Sequence, residues 1–164
     1  MLPCAPAQLV ALIEQPERVS ELSGFPLAPG LREFYGSSYL SPPWLAALRE
    51  AAEPDPWRYG FFLVERDESL VIGVAGFKGP PDASGIVEIA YGIVPDHEGR
   101  GYATEAAEAL VHFALAREEV RLVRAHTLPE ANASTRVLEK CGFRSVGTVS
   151  DPEDGPVWRW ERAR

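Results

Sequence analysis

Gly99, Arg100 and Gly101 stand between an apolar run that ends at Pro95 and an alanine-rich stretch that opens at Tyr102. A strand, a glycine-bearing loop and a helix start in that order let several backbone N–H groups converge on an anion. The unsatisfied first-turn amides and the helix dipole add to the pull. Glycine keeps the backbone open to close approach by a phosphate. A phosphate-bearing ligand is therefore the first chemistry this chain suggests. Glu88, an acid at the start of the same apolar run, is a second reactive group, suited to taking a proton from a nucleophile.

Two familiar anion loops are excluded by spacing. No GxxxxGK[ST] run exists, so this is no P-loop. A GxGxxG fingerprint starts at Gly99 and Gly101, but Thr104 occupies the third glycine position. The preceding strand also follows a meander instead of opening a βαβ unit.

The elements that must position these residues can be read from periodicity. Residues 8–22 read as a helix with Pro16 as an interruption, 24–36 as a proline- and glycine-rich loop, and 44–52 as a second helix opened by Pro42 and Pro43. Runs 59–65 and 70–77 read as a hairpin, and 86–94 as a third strand. Residues 102–116 form an amphipathic pattern with Ala103, Ala107, Leu110 and Ala114 on one stripe. A fourth strand is expected at 121–127 and a short helix at 132–141 capped by Gly142. Two last strands, at 143–149 and 157–161, flank the acidic turn from Asp151 to Asp154. The order predicts an α/β (α+β) fold: a mixed, mostly antiparallel sheet of six to seven strands flanked by helices.

Composition sets the bounds. A chain of 164 residues that is 46% hydrophobic suits a single domain with its own core. The net charge of -8 argues against a nucleic-acid partner, since phosphate neutralisation needs a basic face. No apolar run reaches the roughly 18 residues of a membrane span, and the N-terminus lacks a leader pattern, so a cytoplasmic protein without a membrane partner is expected. Cys4 and Cys141 have no metal-ligand spacing, and no metal is expected; Cys141 reads as a small buried hydrophobe.

The loop Glu98-Gly99-Arg100-Gly101-Tyr102-Ala103 resembles the pyrophosphate loop of the GCN5-related N-acetyltransferases (GNAT), whose pattern is Gln/Arg-x-x-Gly-x-Gly/Ala. Residues 132–143, ending Lys140-Cys141-Gly142-Phe143, look like a later helix of that family. The resemblance covers about residues 59–149, and the N-terminal helices look like the RimJ/RimL-type branch. It implies one domain over 1–164: a helical substrate-side region (1–57), an acetyl-CoA-binding core (59–149) with its central strands splayed, and a C-terminal hairpin strand (150–164).

The same resemblance implies an acetyl-CoA-dependent transfer to a primary amine, on a protein N-terminus or a small molecule, by direct attack on the thioester. Backbone amides of Gly99, Arg100, Gly101, Tyr102, Ala103 and Thr104 would hold the pyrophosphate, Ile93 and Val94 the pantetheine arm, and Asn132 would flank it. Glu88 is the expected base and Ser134 the expected donor to the leaving thiolate, with an oxyanion donor at a backbone N–H near Val94. Dimers are common in the family, so a homodimer is compatible with it. A catalytically silent acyl-CoA-binding module is the alternative.

This chain departs from the pattern in three places. Glu98 replaces the usual Gln or Arg and is expected to point to solvent, with Arg100 offsetting it. Asn132 precedes Ser134 by two positions, not three. The tyrosine that many relatives use as general acid falls at Leu138. Among the histidines, His97 reads as a solvated loop residue, and His112 and His126 as structural or surface groups. Tyr91 alternates to the face opposite Glu88 and reads as core, as do Trp158 and Trp160.

Overall fold

A computed structural model describes residues 1–36, 42–152 and 154–164. Seven strands form one sheet among them: β1 (Leu2–Pro3), β2 (Phe61–Glu65), β3 (Leu70–Phe77), β4 (Ile86–Ile93), β5 (Leu122–Thr127), β6 (Arg144–Asp151) and β7 (Gly155–Ala163). Their spatial order is β1-β2-β3-β4-β5-β7-β6. Every pair is antiparallel except β4 with β5. A parallel pair needs a long crossover. Helix α6 (Tyr102–Leu115) supplies it, after five preceding helices α1 (Pro6–Glu14), α2 (Val19–Ser23), α3 (Leu31–Gly36), α4 (Pro42–Glu50) and α5 (Pro56–Tyr59). Helix α7 (Ala133–Lys140) joins β5 to β6.

Side-chain alternation assigns the faces of the sheet. Phe77 stacks on Phe113 of α6, with ring centroids 5.7 Å apart, and pairs with Ile89 across β3 and β4. The odd-numbered residues of β4 therefore face α6. Ala106, Ala107, Leu110, Val111 and Ala114 form the buried stripe of that helix, and truncating Leu110 to alanine would cost about 2–5 kcal/mol. The even-numbered residues face the other way, toward α3. A Cβ on Gly92 would lie 2.1 Å from Cζ of Phe34, so the bare glycine gives the α3 ring its seat.

The strands and helices from residue 61 onward fall close to their sequence expectations, and the N-terminal third does not. Residues 24–36 are not one loop: Leu31–Gly36 is a helix, with Leu31 and Tyr35 buried. The long first helix is divided, because Pro16 opens a single tight turn, Pro16–Arg18. Glu153 of the acidic turn lies outside the described residues. Trp160 is buried, its indole donating to Thr127 Oγ1 at 3.1 Å, and Trp158 packs beside the core.

Candidate active site

Strands β4 and β5 separate part-way along. Their parallel pairing covers Ile86–Leu122, Val87–Val123 and Glu88–Arg124, and no pairing follows. From residue 89 to 93 one edge of β4 is open while the other stays paired to β3. Alternation decides which groups look into this slot. The Glu88 carbonyl accepts from Lys78 N, just past the end of β3, and Val94 N donates to Ile72 O of β3 on the same side. The odd residues Ile89, Tyr91 and Ile93 therefore present their N–H and C=O groups to the slot.

That geometry corrects one expectation. The Val94 amide is not free for an oxyanion: it is bonded to Ile72 O at 2.9 Å, and its carbonyl accepts from His97 N at 3.0 Å. Ile93, by contrast, has its backbone groups aimed at the slot.

At the outer end of the slot lies the glycine loop. Gly99 and Gly101 have φ of +74° and +91°, a region that favours glycine, and a Cβ on either would meet nothing within 4 Å. Gly101 is the N-cap residue of α6, with no side-chain cap on the first-turn amides. The residues present thus fit a pyrophosphate: bare backbone, open space and unsatisfied N–H groups at a helix start. Glu98 is exposed, as expected. Arg100 is held by neighbours, donating to Asp96 O at 3.3 Å and lying 3.7 Å from Glu68 Oε1.

The turn between β2 and β3 clasps this loop. Glu65 accepts the Glu68 amide at 2.6 Å, which holds its carboxyl below the usual range; the Tyr102 hydroxyl adds to the effect. His97 is not the solvated residue expected from sequence. It is buried, with neither ring nitrogen hydrogen-bonded, and Nε2 lies 3.6 Å from Glu68 Oε2.

At the vertex of the slot, Glu88 points to the face opposite α6. His126 Nδ1 lies 3.0 Å from Glu88 Oε1 and Lys78 Nζ 2.7 Å from the same atom. Arg159 Nε donates to His126 Nε2 at 3.3 Å, so that nitrogen must accept and Nδ1 must carry the proton toward Glu88. Both contacts fall on Oε1, leaving Oε2 without a hydrogen bond among the described residues. Burial lowers the pKa of Lys78, but the hydrogen bond and charge of Glu88 and the charges of Asp151 and Asp154 outweigh it and raise it. The acidic turn therefore acts on the same face.

Sequence reasoning missed His126 and Lys78 as partners of Glu88. The register of β4 on β5 and of β3 on β4 brings them together, and no local pattern encodes it. His112 is a surface group, as expected, with Nδ1 3.2 Å from Glu108 O.

Asn132 caps α7. Its side chain accepts from Thr135 N at 3.0 Å, while Thr135 Oγ1 accepts from Asn132 N at 3.0 Å. Its carboxamide oxygen is thus committed to the helix. Ser134 is exposed in the first turn of α7. Leu138 is buried, and Cys141 is a buried free thiol that donates to Thr104 O at 3.6 Å, tying the end of α7 to the start of α6. Among the described residues no group of three or more His, Cys, Asp or Glu could hold a metal ion, and no helix is long and apolar enough to cross a membrane.

Comparisons with known proteins agree with this architecture. The chain is 36% identical over 89 residues to an uncharacterised N-acetyltransferase, YjdG, of Bacillus subtilis, covering 54% of this chain and 51% of the relative. It is 31% identical over 104 residues to a probable N-acetyltransferase, YjcK, of the same organism, covering 63% and 57%. The chain spans about half the length of the curated relatives it matches.

Two solved structures share the fold. A ribosomal-protein-S5-alanine acetyltransferase from Vibrio fischeri matches with a TM-score of 0.55 at 15% identity, covering 61% of this chain and 58% of the other. RimL, a ribosomal L7/L12 α-N-protein acetyltransferase in complex with coenzyme A, matches at 0.53 and 19% identity, covering 58% and 57%. The profile described as an acetyltransferase (GNAT) domain matches residues 7–144, and the chain belongs to the GNAT family of N-acetyltransferases.

Proposed function

We propose that this chain transfers an acetyl group from acetyl-CoA to a primary amine, a protein N-terminus or a small-molecule amine, by direct attack on the thioester. One observation carries the reading: the slot has a bare glycine loop at its outer end and, at its vertex, a carboxylate whose second oxygen is uncommitted.

The loop amides from Gly99 to Thr104 would hold the pyrophosphate, and the slot-facing groups of Ile93 the pantetheine arm. Asn132 and Ser134, at the start of α7, would flank the same arm. Glu88 Oε2 takes the proton of the acceptor ammonium, and the neutral amine attacks the thioester carbon from the Glu88 face. The C–N bond forms, the C–S bond breaks, and the extra proton left on the new amide nitrogen passes to solvent. The sulfur leaves as a thiolate, with the Ser134 hydroxyl as donor. Slot-facing strand amides take the place of Val94 as donors to the carbonyl oxygen.

A panel of primary amines assayed for CoA release tests this. Glu88→Gln should lower turnover on the acceptor found by 100-fold or more, on the order expected for a general base, with acetyl-CoA affinity unchanged. Full turnover in that variant excludes Glu88 as the base. Acetyl-CoA binding with no turnover on any amine favours the silent binding module.

A further inference from the structure

The Tyr91 hydroxyl is buried and has no hydrogen-bond partner among the described residues. A buried phenol O–H without an acceptor costs free energy, and such a group in a folded chain calls for a ligand or a water. Its position favours a ligand. Tyr91 lies on β4 within the stretch that has lost β5, paired to Ala75 of β3. The ring projects to the α6 face and packs beside the core. Burial, with a smaller contribution from the Cys141 thiol, pushes its pKa up, so the O–H stays protonated across the working range. Cys141 ends α7 and bonds to Thr104 in α6, so the phenol sits where β4, α6 and α7 converge.

Distance along the strand indicates which ligand atom it meets. A phosphate held at Gly99–Thr104 sends its arm back along β4 past Ile93. Two residues further, about 7 Å at the strand rise, the arm arrives at Tyr91. Three residues beyond that is Glu88, on the opposite face. The alternation that made Tyr91 look like core thus puts it on the leaving side of a thioester that Glu88 serves from the attacking side.

We propose that the Tyr91 hydroxyl donates a hydrogen bond to the sulfur of the acyl-CoA thioester and to the thiolate it becomes. This rests on the acetyl-CoA reading of the slot. The O–H bond is kept: the C–S bond breaks, the electron pair stays on sulfur, and the thiolate takes its proton from solvent after release.

The test needs no acceptor. Coenzyme A and desulfo-coenzyme A, which has hydrogen in place of the thiol, are titrated calorimetrically into the wild type and Tyr91→Phe. The titrations are run at about pH 9, where an ordinary thiol is largely ionised. The wild type should prefer coenzyme A by about tenfold, the size of a charge-assisted hydrogen bond. Tyr91→Phe should lose most of that preference, binding coenzyme A close to the wild-type affinity for desulfo-coenzyme A.

Thermal melting of Tyr91→Phe should be equal to or above that of the wild type, since only an unpartnered hydroxyl is removed. A preference retained in Tyr91→Phe overturns the proposal while leaving the acetyl-CoA reading intact, as does a lowered melting temperature, which would reveal a structural partner for the hydroxyl. If the wild type binds neither molecule, both fall together.

Discussion

His126 Nδ1, two residues past the last paired rung of β4 and β5, faces Glu88 Oε1 at 3.0 Å, and Arg159 fixes which nitrogen carries the proton. The imidazole and the Lys78 ammonium hold one carboxylate oxygen and aim the other outward. His126→Ala removes one donor and frees the carboxylate to rotate. A part-buried hydrogen bond of this kind contributes about 1–1.5 kcal/mol, so turnover on a found acceptor should fall about tenfold. Acetyl-CoA affinity, which depends on the far end of the slot, should not change. An equal loss in affinity and turnover would show that His126 supports the fold instead of the carboxylate.

Gly101 carries the backbone at φ +91° into α6 with no atom near its missing Cβ. Gly101→Ala therefore meets no steric neighbour and reports backbone strain alone. The left-handed conformation costs a non-glycine residue about 1–2 kcal/mol, which lowers the melting temperature by a few degrees, about 2–4 °C per kcal/mol for a chain of this size. Acetyl-CoA affinity should fall more than stability does, because relaxing the loop turns its amides from the phosphate. Calorimetric titration beside a melting curve separates the two effects.

Glu98 sets a negative charge in the loop that this reading assigns to a pyrophosphate, and it is exposed. In water two unit charges 4 Å apart interact by about 1 kcal/mol. Glu98→Gln should therefore tighten acetyl-CoA binding about two- to fivefold at low salt. The gain should vanish near 1 M salt, where the screening length is about 3 Å. A gain that survives high salt would mean that Glu98 acts through loop conformation.

How much of this was legible in the chain depended on the range of the interaction. Alternating and helical periodicities are local, so Leu70–Phe77, Ile86–Ile93 and Tyr102–Leu115 follow from the sequence nearly residue by residue. Two-residue β1 is too short to show a period, and Leu31–Gly36 hides behind the prolines and glycines before it. The partners of Glu88 were illegible for another reason. Lys78 and His126 reach it through strand register, over separations of 10 and 38 positions. His97 looked like a loop residue because Glu68, which lies against it, comes from the β2–β3 turn, 29 positions earlier in the chain.

Phe34 rests on Gly92 on the Glu88 face, where the acceptor is expected to approach. An added methyl would lie 2.1 Å from the ring, so Gly92→Ala must displace it. The KM for the acceptor should change by about tenfold, as one misfit of this size costs about 1–3 kcal/mol in a pocket. The Kd of acetyl-CoA should stay within twofold. A loss confined to acetyl-CoA would place Phe34 on the cofactor side instead.

Acid should act on the loop clasp through Glu65. Its folded-state pKa lies below the ordinary 4.5, held down first by the Glu68 amide and then by other donors that include the Tyr102 hydroxyl. A depressed folded pKa contributes stability that is present above the unfolded value and lost as pH falls through the folded one. Asp82, held down by the amides of Ile86 and Ser84, contributes with the same sign. The urea midpoint should therefore drop between about pH 5 and pH 3, less steeply in Glu65→Gln and least when Asp82→Asn is added. Equal slopes in all three proteins would overturn the assignment. Tyr102 is the first residue of α6, so protonating Glu65 also loosens the residue that follows Gly101. Acetyl-CoA affinity in the wild type should fall over the same acid range, and Glu65→Gln should be weaker at neutral pH and flat across it.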